Sequence, residues 1–440
     1  MQQVRHAARE QLGLVSIMAG RPDLFIPMFA IWVASFGGAL HAPVTTYFQM
    51  EVGATTEQIG NFGVIRTAGV ILVSPVYGWL LDKRSAYVPA VLSAFCCTFG
   101  CLFHGFAPDT TGLYVANAML ALGAVNFWNV VGAYVAIAMP RDQRSLVVSG
   151  YQVQVGMLKL LGTSLYPSWD SLLIACGVDD KLFRYRIHMS ICSFFCVFGF
   201  FYMVFRFKPV ARTESKENSR ESEKLDEPIN MSQLLLLLIT LMVQAFGETV
   251  VTVLWPMHIR KLGWDSHEYA NLLLASQLLV IIGTMGYPAL TRVLGSRMLA
   301  SALPLAASFT SAVAFAQSDA SLYGQSMHVF NALGFLAVSG IMKVCFQHLT
   351  TLAVPAALQG RIFSLLNVLS SVGAIGGNLF GTRFSEHETS YTGKGATPFL
   401  LASALFCTVG LAVVGLLIVP ASDCFDIAGS KVEDTSKDEQ

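Results

Sequence analysis

Four ionisable side chains fall inside long apolar stretches of this chain: Arg66, Lys159, Glu248 and Lys343. A charge at mid-bilayer costs several kcal/mol, so it persists where it faces a polar cavity or an opposite charge. Three cations against one anion leave a positive interior, which attracts anions and rejects cations. Three of the four sit on polar or small stripes at helical spacing: Gln152–Gly156–Lys159–Thr163, Gln244–Glu248–Thr252 and Ser339–Lys343–Gln347. Asn126 and Asn129 share a helix face, and Gln277 adds a further amide. Such groups recognise rather than react: an ammonium meets a carboxylate or phosphate, and an amide meets a hydroxyl. The expected solute-binding set is Lys159 with Asn126, Asn129, Gln152, Gln277 and Lys343. Snorkelling of the long cations to an interface is the alternative, most of all for Lys343.

Arg66 and Glu248 lie at similar depths, about 13 Å and about 10 Å from the outer ends of their helices at 1.5 Å per residue. They are expected to pair as an outer gate when that side is closed. Protonation of Glu248 would weaken the pair and offer a route to proton coupling. His41, beside Gly37, Gly38 and Thr45, is a further candidate for gating or coupling, with a packing histidine as the alternative.

Reaction chemistry has no constellation here. There is no nucleophile elbow, no metal-spaced His or Cys set and no glycine-rich phosphate loop, so no enzyme, cofactor, metal or ATP-driven pump is expected. Most of the nine cysteines fall inside apolar runs, where Cys acts as a small hydrophobe. Cys192 and Cys196 share a helix face, but no His or carboxylate beside them suggests a metal. Net charge is zero, giving no bias toward nucleic acid.

The elements that must position these groups are membrane helices. Hydrophobic residues make up 54% and charged residues 13%, too few charges to solvate a globule of 440 residues. Stretches such as 24–49 and 110–140 contain no Asp, Glu, Lys or Arg, and about 20 apolar residues cross a bilayer. An all-α membrane protein of twelve spans is expected. The first six run near 24–49, 57–81, 86–107, 111–139, 145–168 and 187–205. The second six run near 231–254, 268–290, 298–317, 322–352, 362–384 and 397–419. A lead-in (1–23), a polar linker (206–230) and a tail (420–440) complete the chain, and the linker is too polar for a core of its own. Basic residues favour the side of the lead-in, linker and tail by more than two to one, so both termini are expected in the cytoplasm.

The halves look like copies. Phe36-Gly37 recurs as Phe246-Gly247, and GATTEQIGN from Gly53 faces GWDSHEYAN from Gly263 at the same offset. Arg144 and Gly156 recur as Arg361 and Gly373, so a six-plus-six duplication is expected.

Between spans two and three the chain reads GWLLDKR, Gly78 to Arg84, and a worn copy TRVLGSR follows span eight. Here the sequence resembles the major facilitator superfamily, whose loop at this place reads roughly Gly-x-Leu-Ala-Asp-Arg-x-Gly-Arg-Lys. Gly78, Leu80, Asp82 and Lys83 fit, whereas Ser85, Ala86 and Tyr87 replace the closing residues. The resemblance implies two six-helix bundles, alternating access, and a conformational latch at Gly78, Asp82, Lys83 and Arg84. Physically, Asp82 can meet a helix amino terminus, and a glycine admits a close helix. Drug–proton antiporters of that family carry an Arg in span four where Asn117 stands, and a Gly-Pro in span five where Gly156-Met157 stands. Proton-driven multidrug export is therefore not expected. The reading is a secondary or facilitative transporter of a small solute, most of all an organic anion. The alternatives are a neutral sugar or nucleoside, or a transporter-like sensor that moves nothing. Its expected partners are the lipid bilayer, the solute and co-transported protons, with the chain acting as a monomer.

Overall fold

The computed structural model describes residues 20–83, 86–138, 141–209, 231–261, 263–283, 302–307, 309, 321–353 and 359–385, although not every side chain within them. Of the expected elements, span twelve and the tail lie outside the described residues, as do most of the lead-in, of the linker and of span nine. The helices are α1 (Pro22–His41), α2 (Thr45–Glu51), α3 (Thr56–Lys83), α4 (Tyr87–Phe106), α5 (Thr110–Ala138), α6 (Arg141–Ala175), α7 (Lys181–Arg206), α8 (Met231–Lys261), α9 (266–283), α10 (Leu322–Ala353) and α11 (Gln359–Ser385). No strand occurs among the described residues. Five helical stretches are long and apolar enough on described residues alone to cross a membrane.

Four elements depart from the expected spans. Span one breaks into α1, a 3-10 turn at Ala42–Val44 and α2. Pro43 explains the break, since it lacks an N–H and its ring crowds the carbonyl four residues earlier. The helices of spans five, six and seven run beyond their expected membrane stretches, to Ala175, from Lys181 and to Lys261, so residues expected in connecting loops are helical. Asp180 caps α7 by accepting a hydrogen bond from the Leu182 N–H, at 3.0 Å.

The sequence repeat has a structural echo. Gly53 and Gly263 both take left-handed backbone angles, with φ of 96° and 83°, which a side chain would disfavour. Each is followed by a capped helix start, with Asp265 Oδ1 accepting from His267 N at 2.7 Å in the second. Thr55 Oγ1 accepts from Gln58 N while Gln58 Oε1 accepts from Thr55 N, and Glu268 Oε2 accepts from Asp265 N at 2.9 Å. Deeper in the bundle, a Cβ built on Gly162 would stand 2.5 Å from the Phe36 carbonyl, and one on Gly377 would stand 2.5 Å from the Phe246 carbonyl. Span five of each half thus lies against span one of the same half through a glycine, at the repeated phenylalanine.

Within the first half α1 packs on α6 and α7, and α4 packs on α5 and α7, while in the second half α8 packs on α11. Contact between the halves runs through α3 and α11. The end of the bundle away from Pro22 is called distal here. At that end one apolar core joins both halves, with Tyr47, Phe48 and Phe62 packed together with Trp255, Ile259 and Tyr269. The second core, including Leu24, Met28, Ile31, Tyr77 and Met203, belongs to the first half alone and lies toward the proximal end.

Candidate functional site

The distal end is tied shut by one turn of the second half, Asp265–His267, at the start of α9. Tyr166 Oη donates to Ser266 Oγ at 2.7 Å, and Tyr185 Oη lies 3.4 Å from the same oxygen. Tyr47 Oη donates to the Asp265 carbonyl at 3.4 Å. His267 Nε2 is 2.8 Å from Asp170 Oδ2. Asp170 is 3% exposed and also takes His188 Nε2 and Arg184 Nε on Oδ1, each at 3.2 Å. An ionised carboxylate only accepts, so both histidines must present N–H groups to it. Burial would raise the Asp170 pKa, but the two histidine hydrogen bonds and the Arg184 charge outweigh it and hold the carboxyl well below the usual carboxylate range. A more exposed pair, Arg260 with Glu51 at 3.7 Å, lies at the same end. Arg260 also reaches Met50 Sδ, at 3.3 Å, so the two halves are joined at this end by hydrogen bonds and ion pairs from several elements.

The seam between α3 and α11 closes the same end. Gly60 and Gly63 face the side chains of Thr382 and Asn378 so closely that a Cβ at either position would displace them. Lower on α3, Gly78 is exposed and a Cβ built there would meet nothing within 4 Å. Among the described residues nothing approaches Gly78 closely, whereas Gly60 and Gly63 admit α11 and Gly69 admits α5. The side chains of Asp82 and Lys83, and Arg84 as a whole, lie outside the described residues.

Arg66 finds its partner inside its own half. Its Nε donates to Asn117 Oδ1 at 2.7 Å, while Asn117 Nδ2 donates to the Leu113 carbonyl at 2.7 Å, which fixes the amide's orientation. Asn117 is fully buried. The position where related antiporters carry an arginine thus receives a guanidinium from the neighbouring helix. The distal end is closed, which is the state in which an Arg66–Glu248 pair was expected, yet no ion pair joins them among the described residues. His41 is bound within its own span, its Nδ1 lying 2.9 Å from Thr45 Oγ1, which in turn donates to the His41 carbonyl at 3.1 Å.

Lys159 is exposed, with Nζ 5.4 Å from the centre of the Trp128 ring, a cation–π distance. The rest of its stripe does not face one space. Gly156 looks toward Ile281 of α9, and Thr163 Oγ1 donates to the Ala39 carbonyl of α1 at 3.4 Å. Four helices of the second half bury polar atoms that no described group meets: Gln244 Oε1, Gln277 Oε1, Ser339 Oγ and Asn378 Oδ1. Gln277 and Ser339 stand beside a close contact, since Val280 Cγ1 would lie 2.7 Å from a Cβ on Gly340. The side chains of Asn126, Asn129, Gln152 and Lys343 lie outside the described residues.

Sequence reasoning missed Asp170, Arg184, His188 and His267. Asp170, Arg184 and His267 fell in stretches taken as loops and His188 on an apolar span, and no spacing links them. The available signal was local: a carboxylate and a histidine 18 residues apart in sequence flank the expected gap between spans five and six.

The profile of the Major Facilitator Superfamily matches residues 28–378. No curated protein matches the sequence. Among solved structures, a point mutant of the nucleoside transporter NupG superposes with a TM-score of 0.66 at 10% identity, covering 90% of this chain and 100% of that one. The human organic anion transporter MFSD10 (TETRAN) superposes with a TM-score of 0.62 at 12% identity, covering 89% of this chain and 99% of that one.

Proposed function

This chain belongs to the Major Facilitator Superfamily and is a multi-pass membrane transporter of a small solute, not an enzyme, and we propose that the solute is an organic anion. The observation that carries the reading is the setting of Arg66: a guanidinium inside the bundle whose hydrogen-bond partner is the neutral Asn117 amide. Its charge is oriented but not neutralised by that bond, and in a low-dielectric interior such a charge draws an anion. Lys159, held over Trp128, is the second cation on the route. Arg66 then anchors solute, and closure of the distal end falls to the Asp170–His267 contact in place of an Arg66–Glu248 gate. By the excess of basic residues on the opposite side, the distal end faces away from the cytoplasm, and both termini face it. Asp82 remains the proposed latch of the proximal end.

The test is uptake into proteoliposomes across a panel of carboxylates, phosphorylated metabolites, sugars and nucleosides, with and without a pH gradient. Anion uptake that falls in Arg66→Gln and Lys159→Ala supports the reading, and unchanged uptake in both removes its basis. A second reading, a neutral polar solute, is favoured by the unmet Gln244, Gln277 and Ser339 atoms, because a buried polar atom without a partner costs about 1–3 kcal/mol and a hydroxylated solute would meet it. The panel separates the two. Stabilisation by a solute without uptake of it would instead mark a sensor.

A further inference from the structure

We infer that the first half holds a binding site for a soft, thiophilic metal ion, copper(I), built from Cys97 and Cys101 of α4 and Cys192 and Cys196 of α7. Each helix offers two cysteines four residues apart, which puts them on one face. The fold then packs α4 against α7 and brings the two faces together. The sulfurs of Cys97, Cys101 and Cys196 all lie within 4.8 Å of one another. Cys196 Sγ is 3.9 Å from Cys101 Sγ, and Cys192 lies one turn before Cys196 on the same helix face. A metal–sulfur bond of about 2.3 Å implies sulfur separations of about 3.8 Å in a tetrahedral site and about 4.0 Å in a trigonal one. The observed pair falls between them, and the wider separations need close by only about 1 Å.

The surroundings keep the cluster dry. Gly37 lets α1 lie on Cys192, with a built Cβ 3.2 Å from its Cα, and Gly123 brings α5 onto the backbone of Cys97. Cys192 and Cys196 are 2% and 5% exposed. A single buried cysteine is an ordinary small hydrophobe, but four on facing i,i+4 pairs form a soft ligand set with no oxygen donor among them. Charge favours the monovalent ion. Copper(I) binding to two thiols releases two protons and leaves a bis-thiolate of charge −1, with a third sulfur coordinating as a thiol. Zinc(II) on four thiolates leaves −2, and the cost of a buried ion rises steeply with its charge. All four cysteines belong to one half, so the ion is a resident that pins α4 to α7 rather than cargo passing between the halves. The inference stands apart from the identity of the solute.

The test is anaerobic incubation of the detergent-purified full-length protein with tetrakis(acetonitrile)copper(I), removal of loose metal with a copper(I) chelator, and metal analysis by mass spectrometry. One equivalent of retained copper, lost in Cys101→Ser/Cys196→Ser but kept in Cys176→Ser, is expected. No retained copper, or equal retention in the double variant, overturns the site. If the double variant fails to fold, X-ray absorption on the loaded wild type decides: a sulfur-only shell supports the site, and a nitrogen or oxygen shell overturns it. Zinc that copper(I) cannot displace would overturn the choice of ion.

Discussion

Removing the His267 side chain should loosen the distal end while leaving the first half folded. Of the three groups that bind Asp170, only His267 comes from the second half; Arg184 and His188 both sit on α7. In His267→Ala the carboxylate therefore keeps two partners, and the loss is confined to the contact that opening must break anyway. A hydrogen bond to a charged group contributes about 1.5–3 kcal/mol. With His267 29% exposed and Asp170 3% exposed, screening on the histidine side lowers that contribution to about 1–2 kcal/mol. At 1.36 kcal/mol per tenfold, the open population should rise about 5- to 30-fold. The assay is the rate at which a membrane-impermeant maleimide labels a cysteine placed at Ala270, a 1% exposed position in the joint core, in a Cys176→Ser background. Labelling proceeds through the open state, so its rate follows the open fraction. Asp170→Ala should behave differently, because it strands His188, which is fully buried, together with Arg184. Its cost of about 3–5 kcal/mol should appear as lost thermal stability. A labelling change below about twofold in His267→Ala, against the tenfold per 1.36 kcal/mol scale, would refute the assignment of the lock. So would equal stability losses in the two variants.

Gly60→Leu should likewise favour the distally open state, because the new side chain must displace Thr382 on α11 at a cost of about 1–3 kcal/mol; cysteine labelling at the same probe reads it. Asn117→Ala should lower the melting temperature although it removes no charge, because it leaves Arg66 without its acceptor, a loss of about 1–3 kcal/mol. A melting temperature equal to wild type would show that Arg66 is held by something else. The folded pKa of Asp170 is lowered, so its stabilising contribution is fully present above the unfolded carboxylate value of about 3.9 and is lost only as pH falls through the lowered folded value. The stability difference between wild type and Asp170→Asn should accordingly stay constant from neutral pH down to about 5 and shrink only in stronger acid, as thermal melts at stepped pH would show. Asp82→Asn should slow transport while the protein stays folded and inserted, and unchanged uptake would reduce Asp82 to an ordinary loop charge.

The unmet polar atoms of the second half and the bound guanidinium of the first suggest a division of labour. If Arg66 anchors the solute as proposed, Asn117 already orients it, so it would lose little freedom on binding. Gln244, Gln277 and Ser339 lack such partners among the described residues and would complete a solute's shell when the halves close around it.

The sequence alone determined the membrane class, the family resemblance and the doubling of the chain, because each rests on a local or linear property. Twenty apolar residues span a bilayer wherever they occur. A glycine followed by a capping box makes the same turn at Gly53 and at Gly263. Intramembrane charges could likewise be picked out one by one, and Arg66 and Lys159 were. Their partners could not, since a guanidinium inside a bundle pairs with whichever acceptor the helix packing presents. For Arg66 that is Asn117, 51 residues away, rather than the opposite charge Glu248. The distal lock needed tertiary structure for the same reason, as Asp170 and His267 are 97 residues apart and belong to opposite halves. Cys192 and Cys196 were visible as a pair at helical spacing, but only the packing of α4 on α7, chosen by side-chain fit across the whole half, brings Cys196 within 4.8 Å of Cys97 and Cys101.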